Sequence, residues 1–293
     1  MQIMKAKVTK ISFYKKLLNI FIFLGVILLF CYFQNNSIVI NRITLEFKNL
    51  PDEFNGYKII HISDLHSKYF GKKQERILKK IYKENPDIVV VTGDLIDSRV
   101  KKEEPCIILM EELTKKFPVY FVTGNHEIGC GKTSEFIEKL KKAGVRVLRN
   151  EAEYVYKGKN SISIIGIDDS LVNYLSYFRE SEKIDYEIKK SLDKLDKNSF
   201  KILLSHRPEK IGVYADNNMD LIFSGHAHGG QFRLPFIGGI FAPGQGFFPK
   251  YTSGAVKIRN STMVISRGLG NSLMPLRIFN RPEIVTVTLM KLN

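Results

Sequence analysis

Five of the six histidines in this chain sit in short segments that follow apolar runs, and four of the five stand beside aspartate, asparagine or glycine. The segments read Asp64-Leu65-His66, Gly93-Asp94-Leu95-Ile96-Asp97, Gly124-Asn125-His126-Glu127, a lone His206, and Gly225-His226-Ala227-His228. A scattered set of structural histidines would not cluster in this way. Imidazole, carboxylate and one amide oxygen suit Mn, Fe or Zn better than Ca, and the lack of cysteine argues against a structural zinc site. In an extended segment, residues i and i+2 point the same way, so Asp64 and His66 can hold one ion. His226 and His228 lie close enough to serve one cluster. The chemistry on offer is that of a metal centre.

Each segment follows an apolar run of strand length: Lys58–Ile62, Ile88–Thr92, Val119–Thr123, Lys201–Ser205 and Leu221–Ser224. Such runs suit strands buried on both faces. Helical stretches intervene at Gln74–Glu84, Glu103–Lys116, Thr133–Ala143 and Ser181–Leu195. Asn85-Pro86 and Phe117-Pro118 close two of them before the next strand. Further strands are expected at Ile38–Phe47, Tyr154–Tyr156, Ile162–Ile167, Ala255–Arg259, Thr262–Ile265 and Ile284–Met290. The pattern predicts one mixed α/β domain over residues 37–293. Neighbouring parallel strands share one sheet edge at their carboxyl ends, and there the five segments are expected to converge. Gly93, Gly124 and Gly225 are expected to permit sharp turns that bring the backbone near the ions.

Taken in order, Asp-x-His, Gly-Asp-x-x-Asp, Gly-Asn-His-Glu, a lone His and Gly-His-x-His resemble the full signature of the calcineurin-like metallophosphoesterases. The match runs from about Lys58 to His228. Gly229-Gly230-Gln231-Phe232-Arg233-Leu234-Pro235, Ser266-Arg267-Gly268-Leu269-Gly270 and Asn280-Arg281-Pro282-Glu283 are similar to the membrane-associated bacterial branch. The resemblance implies a four-layer αββα sandwich, two mixed β-sheets flanked by helices. It implies one metal on Asp64, His66, Asp94 and His228, and a second on Asp94, Asn125, His206 and His226, with Asp94 bridging. His126 becomes the general acid or a stabiliser of the phosphate oxygens. Phosphate esters hydrolyse very slowly unaided. Two divalent ions roughly 3.5–4 Å apart clamp phosphate oxygens and supply metal-bound hydroxide for in-line attack. A protonated imidazole donating to the leaving oxygen is typically worth about 10²–10⁴-fold.

Neighbouring polar residues read less sharply. His61 lies inside a strand and is expected to be a satisfied core histidine. Asp97 and Glu127 read as turn hydrogen-bonders. Arg207, beside His206, is a candidate phosphate contact or a salt-bridge partner.

The chain has 293 residues and a net charge of +15. A basic protein favours polyanionic surroundings, whether nucleic acid, anionic lipid or a wall polymer. A hydrophobic content of 44% with 26% charge excludes wholesale disorder and a polytopic membrane protein. Three cysteines exclude a disulfide scaffold; Cys106 and Cys130 are expected to be unpaired. Residues 1–16 carry Lys5, Lys7, Lys10, Lys15 and Lys16 and no acid. Residues 17–33 are apolar except for Asn19. As a helix they span about 25 Å, near the short limit for a membrane. No small-x-small site follows, so the run reads as an uncleaved transmembrane signal anchor. The lysines would stay cytoplasmic and residues 34–293 would face outside the cell membrane.

Residues 235–251, PFIGGIFAPGQGFFPKY, place an aromatic-rich loop directly after the last metal segment. It is expected either to pack as a lid or to meet a bilayer or acyl chain. The leading reading is a membrane-anchored phosphoesterase with two divalent metals, acting on a phosphorylated small-molecule or lipid substrate of the envelope, at a phosphoester or pyrophosphate bond. One alternative is a nuclease or nucleotide phosphodiesterase, disfavoured because no separate nucleic-acid-binding module is visible. The other is a non-catalytic, metal-stabilised envelope scaffold. No protein partner is indicated.

Overall fold

Alternate residues of a strand face opposite ways, and the apolar runs of this chain find cover on both faces. The computed structural model describes residues 2–100, 102–169, 177–193, 195–272 and 274–292. The ends of the expected boundaries, Met1 and Asn293, lie outside the described residues.

The first sheet has the order β1 (Val39–Phe47), β16 (Glu283–Lys291), β2 (Lys58–Ile62), β3 (Ile88–Thr92), β4 (Val119–Val122) and β5 (Arg146–Val147). β1 is parallel to β16, β16 is antiparallel to β2, and β2 to β5 run parallel. The second has the order β14 (Gly254–Ile258), β15 (Ser261–Ile265), β9 (Leu221–Ser224), β8 (Phe200–Leu204), β7 (Asn160–Gly166) and β6 (Glu151–Lys157). It is parallel from β15 to β7 and antiparallel at both edges.

Ile59, Val90, Tyr120 and Val122 of the first sheet share a core with Ile202, Leu204, Leu221 and Phe223 of the second. The alternate residues Ile60, Ile62, Val89, Val91 and Phe121 share a core with side chains of α2 (Glu75–Glu84), α3 (Glu104–Thr114) and α5 (Thr133–Lys142). On the far side, Leu203, Ile222, Met263 and Ile265 meet α6 (Tyr177–Leu192) and α7 (Ile211–Asp216). The order is helix, sheet, sheet, helix, as the resemblance implied. All the expected strands form, with ends shifted by at most three residues.

One expectation is corrected. The five segments do not line one sheet edge, because β2, β3 and β4 belong to one sheet and β8 and β9 to the other. The carboxyl ends of all five strands reach a common rim, and the segments meet across the sandwich.

Two features flank that rim. α1 (Gln2–Asn36) includes Phe13–Asn36, which is long and apolar enough to cross a membrane and is almost wholly exposed. The aromatic loop forms two short hairpins, β10 (Arg233–Leu234) with β11 (Gly238–Gly239), and β12 (Phe241–Ala242) with β13 (Gly246–Phe247). Phe236, Ile237, Phe247 and Phe248 are exposed, so this loop does not bury its own aromatics.

Candidate metal centre

Asp64 and His66 follow β2, Asp94 follows β3, and Asn125 opens the short helix α4 (Asn125–Gly129) after β4. His206 follows β8, and His226 and His228 follow β9. Asp64 (φ 53°), His66 (46°), Asp94 (52°), His226 (64°) and His228 (47°) all sit in the left-handed region. A residue bearing Cβ pays roughly 1–2 kcal/mol there, and such strain persists where the surroundings fix it, commonly at functional sites.

The three glycines differ in purpose. Gly93 has φ 80° and makes the expected left-handed turn. Gly124 and Gly225 have no positive φ; they supply space, since a Cβ would strike Asp94 Oδ1 in one case and Ser63 Oγ in the other.

Among the described residues ligand atoms gather in three groups, each with its donors within 4.8 Å of one another: Asp64, His66, Asp94 and His228 form one, Asp94, His206 and His226 a second that shares Asp94 with it, and His66, Asp97 and His126 a third. His66 Nε2 lies 3.0 Å from His228 Nε2 and 3.7 Å from Asp94 Oδ2. His228 Nε2 lies 3.3 Å from Asp64 Oδ1. His206 Nε2 lies 3.1 Å from Asp94 Oδ2 and 3.2 Å from His226 Nδ1. Its Nδ1 is 2.6 Å from the Thr92 carbonyl, which makes Nδ1 a donor; in the neutral ring that a metal requires, Nε2 then offers its lone pair to the cluster.

The electrostatics call for cations. Burial pushes Asp64 up to about 7. Burial also opposes the charge on Asp94, yet His206 and His66 hold it well below the carboxylate range. Burial lowers His206, but Asp94, Asp64 and Asp169 carry it up to about 10. Deeply buried carboxylates need compensating positive charge. Among the described residues, the ion-pair partners of Asp64 and Asp94 are histidines, not lysine or arginine. Asn125 Oδ1 is buried with no hydrogen-bond partner, an oxygen free to bind a cation. The residues therefore fit two divalent ions.

A family model for calcineurin-like phosphoesterases matches residues 57–230. The chain belongs to the calcineurin-like phosphoesterases. It is a metal-dependent phosphoester hydrolase. The chain is 32% identical over 267 residues to metallophosphoesterase YkuE of Bacillus subtilis, an alignment covering 89% of each chain. It is 28% identical to phosphodiesterase YaeI of Escherichia coli over 80% of this chain and 82% of YaeI. A Danio rerio transmembrane protein with a metallophosphoesterase domain is 30% identical over 83% of this chain and 55% of its own. Among solved structures, TT1561 of Thermus thermophilus shares the fold at a TM-score of 0.51 and 13% identity, over 73% of this chain and 91% of that one.

In this calcineurin-like phosphoesterase, His126 stands at the edge of the cluster, its ring 4.6 Å from that of His66 and edge-on. The Ser98 backbone N–H donates to His126 Nδ1 at 3.1 Å, so Nδ1 accepts and the proton sits on Nε2. Asp97 lies 3.8 Å from both His66 Nδ1 and His126 Nδ1, but Arg99 claims it through Nε, Nη2 and the backbone N–H. Glu127 accepts from the backbone N–H groups of Asp94 and Gly124 at 2.8 Å and Ile96 at 3.1 Å, joining the loops after β3 and β4. His61 is buried between the sheets, bonded to Thr92 Oγ1 at 2.8 Å, and burial lowers it to about 3, so it is neutral. Cys106 and Cys130 are separate buried thiols, bonded to the carbonyls of Leu95 and Glu127.

Arg207 makes a salt bridge. Its guanidinium makes a paired contact with Asp169 at 2.8 and 3.0 Å, with Glu180 at 3.4 Å. The salt bridge lies among acidic side chains, not on the open surface. Sequence reading missed Arg99 and Lys68, each two residues beyond a metal segment and without any spacing that marks them. It gave Asn280 no role and left Arg267 and Arg281 undecided. Asn280 Nδ2 donates to the carbonyls of His228 and Gln231, bracing the last metal loop, and Arg281 reaches Ser37 at the end of α1.

Proposed function

We propose that this protein is a membrane-anchored phosphoesterase with two divalent metals that cleaves a phosphoester or pyrophosphate bond of an envelope or lipid-linked molecule, outside the cytoplasm. The observation that carries the reading is Asp94, common to two of the three ligand groups. One ion would rest on Asp64, His66, Asp94 and His228, the other on Asp94, Asn125, His206 and His226. Mn, Fe and Zn all suit this donor set. Such ions supply Lewis acidity toward phosphate oxygens and a nucleophile at neutral pH. His126 donates from Nε2 to a phosphate or leaving oxygen, as general acid or as stabiliser of the phosphate oxygens. Anchoring is supported by α1, and the outward orientation by the lysines of residues 1–16.

The test uses the full chain in detergent micelles, loaded with Mn²⁺. p-Nitrophenyl phosphate, bis-p-nitrophenyl phosphate and a lipid-linked pyrophosphate are offered in parallel. Metal-dependent turnover, lost in Asp94→Ala and His126→Ala, is the expected result. Two bound metals without turnover on any of the three would overturn the reading and favour a scaffold.

A further inference from the structure

A helix leaves its last carbonyls without partners inside the helix, and the end of α1 takes partners from the catalytic domain. Arg76 Nη2 donates to the Asn36 carbonyl at 2.6 Å, and Arg281 Nε to the Ser37 carbonyl at 3.0 Å. The contact does not stop at the helix end. The Arg281 guanidinium lies 4.7 Å over the Phe33 ring, and Phe279 meets Phe30 edge-on at 5.5 Å. Phe30 stands six residues before Asn36, about 9 Å back along the helix. It belongs to Phe13–Asn36, the stretch long and apolar enough to cross a membrane. The catalytic domain therefore reaches alongside α1 into that stretch.

What the domain presents there is apolar. Met274, Leu276 and Phe279 are exposed. Ile278, the neighbour of Phe279, bridges to Phe232 at the root of β10, and its carbonyl accepts from the Arg233 N–H at 3.0 Å. The two hairpins add Leu234, Phe236, Ile237, Phe247 and Phe248, all exposed. Single exposed apolar side chains are ordinary, but a group of them marks a surface that meets a protein or a membrane. The order along α1 favours the membrane. Ring contact lies at Phe30, and the cations stand at Asn36 and Ser37. Apolar rings below and charges at headgroup level are what a bilayer interface selects.

We propose that residues 274–279 and the two hairpins form a second membrane contact, which seats the catalytic domain in the surface of the bilayer that α1 crosses. The proposal rests on the anchor reading above. The same face is braced to the metal centre, because Asn280 Nδ2 donates to the carbonyls of His228 and Gln231. The seat thus holds the metal rim at a set height over the membrane, which a simple tether would not do.

The chain has no tryptophan, so one introduced indole reports alone. Full-length Phe236→Trp and Phe247→Trp are each reconstituted into phosphatidylcholine vesicles, with and without bromine on the acyl chains, and tryptophan emission is recorded. Phe23→Trp in α1 marks the membrane interior. Tyr156→Trp, exposed on β6 opposite the amino end of β7 and so away from the metal rim, marks water. Bromine should cut both hairpin emissions roughly twofold, as befits side chains about 5–10 Å into the headgroup and acyl boundary, and leave Tyr156→Trp unchanged. Hairpin tryptophans quenched no more than Tyr156→Trp, beside a quenched Phe23→Trp, would overturn the proposal and leave the anchor standing. Blue-shifted hairpin emission without quenching would assign the face to a second copy of the chain and overturn it equally. An unquenched Phe23→Trp would remove the anchor itself, and the proposal with it.

Discussion

Replacing Glu127 with glutamine tests how the centre is held together. The buried carboxylate spans the loops after β3 and β4 with three backbone hydrogen bonds, two on Oε2 and one on Oε1. A glutamine amide keeps one oxygen. Its better orientation leaves that oxygen on Asp94 and Gly124 and turns NH₂ toward the Ile96 N–H. An unsatisfied buried donor costs roughly 1–3 kcal/mol, and two charge-assisted bonds becoming neutral lose about 1 kcal/mol each. Burial, and then Asp94, push Glu127 up to about 7, so removing its charge offsets part of this loss. A net loss of about 2 kcal/mol follows at pH 8, or roughly 4–8 °C in Tm at about 2–4 °C per kcal/mol. Because the brace orients Asp94 and Asn125, metal affinity should also fall about 10–100-fold. Thermal unfolding and Mn²⁺ titration of the full chain in micelles measure both. Unchanged Tm and unchanged Mn²⁺ affinity would refute the bracing argument.

Three further outcomes follow from other contacts. Gly225→Ala should abolish Mn²⁺ binding or folded yield, because its Cβ would strike Ser63 Oγ and crowd Asp64. Gly212→Ala, in α7 with nothing near its Cβ, should instead stabilise by about 0.4–1 kcal/mol; equal effects would refute the steric account. His126→Ala should keep both metals by elemental analysis while kcat falls about 10²–10⁴-fold; loss of metal would make it a ligand instead. Arg207→Met should cost about 3–5 kcal/mol by leaving Asp169 without its cation. A raised KM at unchanged Tm would return Arg207 to a phosphate.

Strand positions were legible because apolar runs such as Ile88–Thr92 are buried on both faces, and that burial writes itself into local composition. The helices were legible from their breakers, with Asn85-Pro86 and Phe117-Pro118 standing before β3 and β4. Residue types at the centre were legible too, since Asp, His and Asn beside glycine have few other reasons to recur after successive strands. Arg99 and Lys68 were not, because a cation near a motif looks like any solvated one until the fold supplies its partner, Asp97 for Arg99 and the Asn35 carbonyl for Lys68.

The chain's local pattern alone determined the strands, the donor set and the long apolar helix, all properties of nearest neighbours and their periodicity. Tertiary structure decided how those pieces meet. Local pattern implies neighbouring strands in one sheet, yet β8 and β9 lie in a second sheet, and His206 and His226 reach Asp94 across the sandwich. It decided that Gly225 serves by its missing side chain, since the colliding atom belongs to Ser63, far away in sequence. It also seated the end of α1 against the rest of the chain, through Lys68, Arg277 and Arg281. Each of these depends on contacts between residues tens to hundreds of positions apart, such as Asn35 with Arg277, and no window along the chain contains them.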